Sequence, residues 1–140
     1  IGDWSSDVCS SDLAGTIARG KEMPFPYAMD KPGDSTNYVA SKMVPNPIDS
    51  LSAKDAAEAE RLYLINCGIC HGNEGNGKGK LVTQGKILGV PSYKDRVITE
   101  GSIYHVLQYG INSMGAYSNQ LNQKERWMVA AYVMELKSKL

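Results

Sequence analysis

Two cysteines and a histidine stand together in Cys67-Gly68-Ile69-Cys70-His71. Thiols three positions apart can each add to one vinyl group of a single porphyrin. The adjoining imidazole then falls beneath the iron as its proximal ligand. The C-x-x-C-H pattern is therefore that of covalent attachment of one haem c. Two other chemistries use paired cysteines. A structural zinc site needs two more Cys or His ligands at fingerlike spacing, and Cys9 and His105, the remaining candidates, have no paired partner. A thioredoxin-like redox pair follows a strand and opens a helix, whereas here a helical pattern ends at the cysteines.

A sixth iron ligand is expected from Met114. It lies in Gly110-Ile111-Asn112-Ser113-Met114-Gly115-Ala116-Tyr117, a loop between two helical patterns, far enough past His71 for the chain to fold over the opposite haem face. Met128 and Met134 belong to a helical stripe and read as core filler, while Met23, Met29 and Met43 fall in the first third of the chain. Thioether ligation opposite histidine raises the reduction potential and suits electron transfer. His105 reads as a helical histidine near the surface, with a role as second axial ligand as its alternative. Metal-bound histidines nearly always donate their second ring N–H to a fixed acceptor. A carbonyl near Pro91, in the stiff turn Gly89-Val90-Pro91-Ser92, would serve His71 in this way. Tyr93, Lys86 and Arg96 are candidates to meet the haem propionates.

The elements that must position these groups are helical. Ser52-Ala53-Lys54-Asp55 has the form of a capping box. The run from Ala53 to about Asn66 places Ala56, Ala59, Leu62 and Tyr63 on one apolar stripe, so a helix delivers the Cys pair and ends near Gly68. The glycine-dense Gly72 to Gly79 follows; close backbone approach to a flat ligand explains it. A phosphate cradle does not, because Gly79-Lys80 is followed by Leu81 rather than Ser or Thr. Lys80 to Gln84 is expected to form one helical turn. Ile103, Val106 and Leu107 predict a helix from about Gly101 to Tyr109, stopped by Gly110. The last helix is expected after Asn122, an N-cap with Glu125 at N3, and runs to about Lys139. Trp127, Ala130, Ala131 and Met134 would form one face of it, with Val133 and Leu136 beside it, packed against Ala59 and Tyr63.

The chain has 140 residues, with 15 Lys+Arg against 15 Asp+Glu and a formal net charge of zero. The absence of a polybasic run argues against a nucleic-acid partner. No apolar run reaches the roughly 18 residues of a membrane-spanning helix. Residues 1–13 are set aside: Asp3-Trp4-Ser5-Ser6-Asp7-Val8-Cys9-Ser10-Ser11-Asp12-Leu13 reads as a translated sequencing adaptor, so Cys9 carries no functional weight. Residues 14–50 hold five of the six prolines and show neither helical nor strand periodicity. They predict an extended, irregular arm, either a linker or a segment laid on partner subunits with Phe25, Tyr27 and Tyr38 as contact points. Residues 51–140 form the haem domain, whose core is thin enough that the haem would supply much of it.

With these residues placed, positions 52–140 resemble class I cytochrome c. The resemblance implies an all-α fold of about three to four helices around one covalent haem. More narrowly, the chain is similar to the mono-haem cytochrome c subunit of bacterial alternative complex III. Gly15-Thr16-Ile17-Ala18-Arg19-Gly20 matches that family's N-terminal Gly-Thr-Val-Ala-Arg-Gly signature. Val90-Pro91-Ser92-Tyr93 with Thr99 to Val106 matches the segment before its Met loop, and Gln120 to Val133 its final helix. Gly115 departs from the wider pattern, where Met-Pro is usual; Met-Gly resembles the Bacteroidetes-type version of the family. The resemblance implies an electron-transfer subunit with no catalytic site of its own. It would sit in a quinol-oxidising respiratory complex beside a multihaem cytochrome, handing electrons to a terminal oxidase or mobile carrier. It also implies the periplasmic face of the cytoplasmic membrane, with a lipid anchor on a Cys upstream of residue 14. A free periplasmic shuttle, a haem sensor or peroxidase-like enzyme with an open sixth site, and zinc binding are the other readings.

Overall fold

Helix α2 (Ala53–Asn66) begins where Ser52 Oγ accepts a hydrogen bond from Asp55 N. The expected capping box is only half formed. Asp55 turns its carboxylate to the Ser52 hydroxyl and to Lys124 Nζ, at 3.0 and 3.1 Å, instead of reaching back to the Ser52 amide. This computed structural model describes Met23 and residues 25–140. The adaptor-like residues 1–13 and the Gly15–Gly20 signature lie outside the described residues.

Three helices make the core. Helix α5 (Glu100–Tyr109) starts at a full capping box, Thr99 with Ser102, and stops at Gly110, whose φ of 78° is open to glycine at little cost. Helix α6 (Gln123–Ser138) starts at a second full box, in which Asn122 Oδ1 accepts from Glu125 N and Glu125 Oε2 from Asn122 N. Helix α6 packs on both α2 and α5. Their shared core holds Leu62, Tyr63 and Cys67 from α2, Ile103 and Leu107 from α5, and Val129, Ala130, Val133 and Leu136 from α6. The buried face of α6 is thus rotated slightly from the expected one. Val129 and Val133 are enclosed, while Ala131 and Met134 are only half-buried.

Two single-turn helices, α3 (Gly68–His71) and α4 (Lys80–Thr83), and a 3₁₀ turn at Tyr93–Asp95 complete this all-helical domain. Among the described residues no helix is long and apolar enough to cross a membrane.

The segment expected to be irregular contains a sixth helix, α1 (Thr36–Ser41), and lies on its own domain. Asp30 accepts from the amides of Asn37 and Tyr38, both at 2.8 Å, which satisfies donors in the first turn of α1. The arm then meets the domain at four places, three of them through its backbone carbonyls. Tyr109 Oη donates to Tyr27 O, His105 Nε2 faces Ala28 O, Thr99 Oγ1 donates to Lys42 O, and Asn46 Nδ2 donates to Trp127 O. Phe25 adds a ring contact with Tyr104, centroids 4.7 Å apart. Side-chain donors from α5 and loop carbonyls from the arm account for most of the docking, a pairing that hydrophobic periodicity does not register.

Candidate haem site

Cys67 caps the C-terminus of α2, its amide donating to Tyr63 O, and the chain turns at once into α3. In α3 the amides of Cys70 and His71 both return to Cys67 O, at 3.1 and 2.9 Å. The two thiols and the imidazole are therefore carried on one tight turn fixed to the core helix. Neither thiol is in a disulfide. Burial first, and Cys70 second, push the Cys67 thiol up to about 12, so it is not the reactive thiolate that a redox pair requires. No group of three or more His, Cys, Asp or Glu side chains converges as a metal site among the described residues.

The loop after His71 is folded back onto this turn. Gly77 N donates to His71 O and Gly79 N to Cys70 O. A Cβ at Gly79 would overlap the Ile69 carbonyl, and one at Gly77 would lie 2.5 Å from Val90 O. Only glycine permits that approach. From α2, the Tyr63 hydroxyl donates to Gly72 O at 2.8 Å and closes the turn from below.

His71 is half-buried, and burial lowers its pKa, in the direction that favours the neutral imidazole, the form that binds iron. Its ring stacks on Tyr93, with centroids 5.1 Å apart and planes at 21°. Its Nδ1 is buried without a hydrogen-bond partner. The expected bond to a carbonyl near Pro91 is not made: the Val90 and Pro91 carbonyls lie beside Gly77 instead. Pro91 is thus brought to the loop that holds His71, but its carbonyl does not receive the ring. Tyr93, expected at a propionate, is the ring's platform, while Lys86 and Arg96 are exposed.

Met114 is half-buried and packs against the core cluster that contains Cys67. Its loop is pinched at the base, where Ile111 and Met114 exchange both backbone hydrogen bonds, at 3.0 and 2.9 Å. It returns to α5 through Tyr117 N to Leu107 O. Tyr117 packs against the same cluster, and burial first, then Cys67 and Cys70, hold its phenol above its ordinary range. His105 belongs to neither expected role. It is 3% exposed, and Phe25, Tyr38 and Tyr109 surround its ring. It is buried under the arm rather than near the surface, with Nε2 committed to Ala28 O at 3.2 Å.

The donor set fits a covalent haem: two unpaired thiols on one turn, a neutral imidazole with an orphaned ring nitrogen, and a thioether packed against the same core. Cys67, Cys70, His71 and Met114 would hold the group. Sequence reasoning missed Tyr93 as the partner of His71 and Tyr63 as the support of Gly72. The position of Tyr93, two residues after a stiff proline, was the available signal.

Known proteins share this arrangement of sequence. A family profile described as cytochrome c oxidase, cbb3-type, subunit III, matches residues 54–133. That span contains all four residues of the site and leaves out the arm. Cytochrome c6 of Thermosynechococcus vestitus is 30% identical over 88 residues, covering 62% of this chain and 75% of the relative. Cytochrome c6 of Synechococcus elongatus is 29% identical over 86 residues, 61% of this chain and 94% of its own. A cytochrome c6-like protein of Nostoc sp. is 29% identical over 85 residues, 60% of this chain and 73% of its own.

Proposed function

This chain belongs to the cytochrome c family, whose members carry one covalent c-type haem and transfer electrons, and from that premise we propose that it is the electron-transfer subunit of a quinol-oxidising respiratory complex of the alternative complex III type. The observation that carries the electron-transfer reading is the Cys67–His71 turn, which follows directly on α2 and sets both thiols and the half-buried imidazole on one turn. The complex is supported by the resemblance of residues 90–93, 99–106 and 120–133 to the mono-haem component of such complexes. In this reading a multihaem cytochrome is the neighbour, a terminal oxidase or mobile carrier the acceptor, and the periplasmic face of the membrane the location.

When bound, the haem supplies a one-electron couple. The chain's own residues supply the rest. Cys67 and Cys70 fix the group as thioethers, so that it cannot leave. His71 is held by three consecutive features: the α3 turn, the Gly77 amide on its carbonyl, and the Tyr93 ring on its face. Met114 offers a neutral sulfur, which favours the reduced state.

A second reading, a free periplasmic shuttle, is favoured by one observation. The arm has an intramolecular seat, so its presence does not by itself call for partner subunits.

Visible spectra test the site. The chain made with cytochrome c maturation should show a covalent low-spin haem, which becomes high-spin or carbon-monoxide-reactive in Met114→Ala. An unchanged spectrum in that variant would move the sixth ligand elsewhere, and the absence of haem would remove the electron-carrier reading. Comigration with a large membrane assembly that oxidises quinol distinguishes a component of the complex from a shuttle.

A further inference from the structure

The loop carrying Met114 has little holding it from outside. Met114 is followed by Gly115, and a Cβ there would meet nothing within 4 Å. Ile111, Asn112 and Ser113 are exposed, and Asn112 has a φ of 51°, a conformation uncommon for a residue with a side chain. Both ends of the loop are attached to α5: Gly110 N donates to Val106 O, and Tyr117 N to Leu107 O. Apart from the packing of Met114 and Tyr117 on the core cluster, the loop therefore keeps its place only as well as the last two turns of α5 keep theirs.

Those turns are gripped by the arm. Tyr109, the last residue of α5, donates its hydroxyl to Tyr27 O at 2.9 Å. One turn earlier His105 meets Ala28 O at 3.2 Å and lies 4.0 Å from Asp30 Oδ2. A turn before that, Ser41 O and Val44 O press on Gly101 so closely that no Cβ fits between. Phe25 closes the upper end against Tyr104 and Trp127. Residues 29–35 then run past the Met loop itself, and a cavity of about 500 Å³ is bounded on one side by Asp30 and Ser35 and on the other by Tyr109, Ile111 and Met114.

We propose that the arm, residues 25–48, is a clamp on the Met114 loop, and that Tyr27, Ala28 and Phe25 act as positioning residues for the sixth axial bond. The inference rests on the reading of Met114 as that ligand. Detaching the arm frees the C-terminal turns of α5, the loop opens more often, and the bond to sulfur is broken for a larger fraction of the time. Anything that draws the arm away from α5 thereby lowers the stability of the thioether ligation without touching the haem.

The test uses the full chain with covalent haem and imidazole as an added competing ligand. Imidazole binds only where Met114 has left, so its apparent affinity measures the open fraction. Tyr109→Phe keeps the ring and removes the bond to Tyr27 O; Phe25→Ala removes the stack on Tyr104. Either is expected to bind imidazole about five- to tenfold more tightly, the factor by which losing one hydrogen bond or one aromatic pair raises an open population. The far-red sulfur-to-iron band of the ferric form should weaken in parallel. Ser52→Ala, which removes the N-cap of α2 and none of the bonds between the arm and α5, controls for stability in general and should leave imidazole affinity unchanged. The clamp is overturned if both arm variants bind imidazole as the parent does, or if Ser52→Ala shifts affinity as far as they do. If the parent has no far-red band, or Met114→Ala binds imidazole no better, the ligand assignment itself has failed and the clamp with it.

Discussion

Tyr63 joins the helix that presents the thiols to the loop that follows His71, through one hydroxyl on one carbonyl. Replacing it with Phe removes the shorter of two hydrogen bonds to Gly72 O, leaving the one from Gly75 N at 3.2 Å, and should cost about 0.5–1.5 kcal/mol, read from denaturant unfolding. The same phenol sets an alkaline limit. Burial, its largest influence, raises its pKa to about 12 from an ordinary value of 10. The folded state therefore favours the protonated form. That stabilisation is complete below pH 10 and is lost as pH rises from 10 towards 12, because the unfolded chain gives up the proton first. Tyr63→Phe should lack this part of the alkaline decline. At this scale the cysteines, histidine and methionine were legible, because local spacing alone sets what two thiols and an imidazole can do. Tyr93 was not, since its place on His71 depends on how the chain returns after Pro91. Nor was the burial of His105, which needs Ala28 and the rings around it to be brought up from the other end of the chain.

Helices α2, α5 and α6 were legible in outline from signals within a few residues of each end: Ser52, Gly110, Asn122 with Glu125. Helix α1 was not, because Asp30 caps it from seven and eight residues away, and its seat on α5 depends on a glycine in another helix. That glycine gives a prediction. Gly101→Ala forces a methyl group against Ser41 O and Val44 O, both backbone atoms. It should cost about 1–3 kcal/mol of stability, as overpacking does, and should speed proteolytic cleavage within residues 25–48. A second element is held by charge. Lys137, near the end of α6, donates to the carbonyls of Tyr93 and Arg96, each at 2.8 Å. Its ammonium thus fastens the turn that carries the His71 platform. Lys137→Met keeps the stem and removes the donors, and should cost about 1.5–3 kcal/mol. Amide exchange should rise most in residues 93–96.

The whole domain has one thin core, and Cys67, an attachment point for the haem, is itself part of it. A domain of this size with so few enclosed side chains depends on its bound group for much of its apolar interior. The chain with Cys67→Ser and Cys70→Ser, made without haem, should show no cooperative thermal unfolding by circular dichroism. A sharp transition in that chain would mean that the helices sustain themselves. Buried Arg126 carries a second, polar demand. It is 6% exposed and answered by Leu121 O and the Tyr104 hydroxyl rather than by a carboxylate among the described residues. The interior is therefore assembled partly from hydrogen bonds that must all be made at once.

The seating of the arm also dictates an order of assembly. The bonds that hold it join residues 57, 77, 81 and 82 positions apart, so the chain must emerge as far as α5 and α6 before residues 25–48 have anywhere to dock. Contacts this distant form late, because loop closure precedes any gain from them. Until then Phe25, Tyr27 and Tyr38 are left uncovered. The newborn protein is thus most open to proteases and to holding chaperones within residues 25–48, during the interval between the emergence of Tyr27 and that of Trp127.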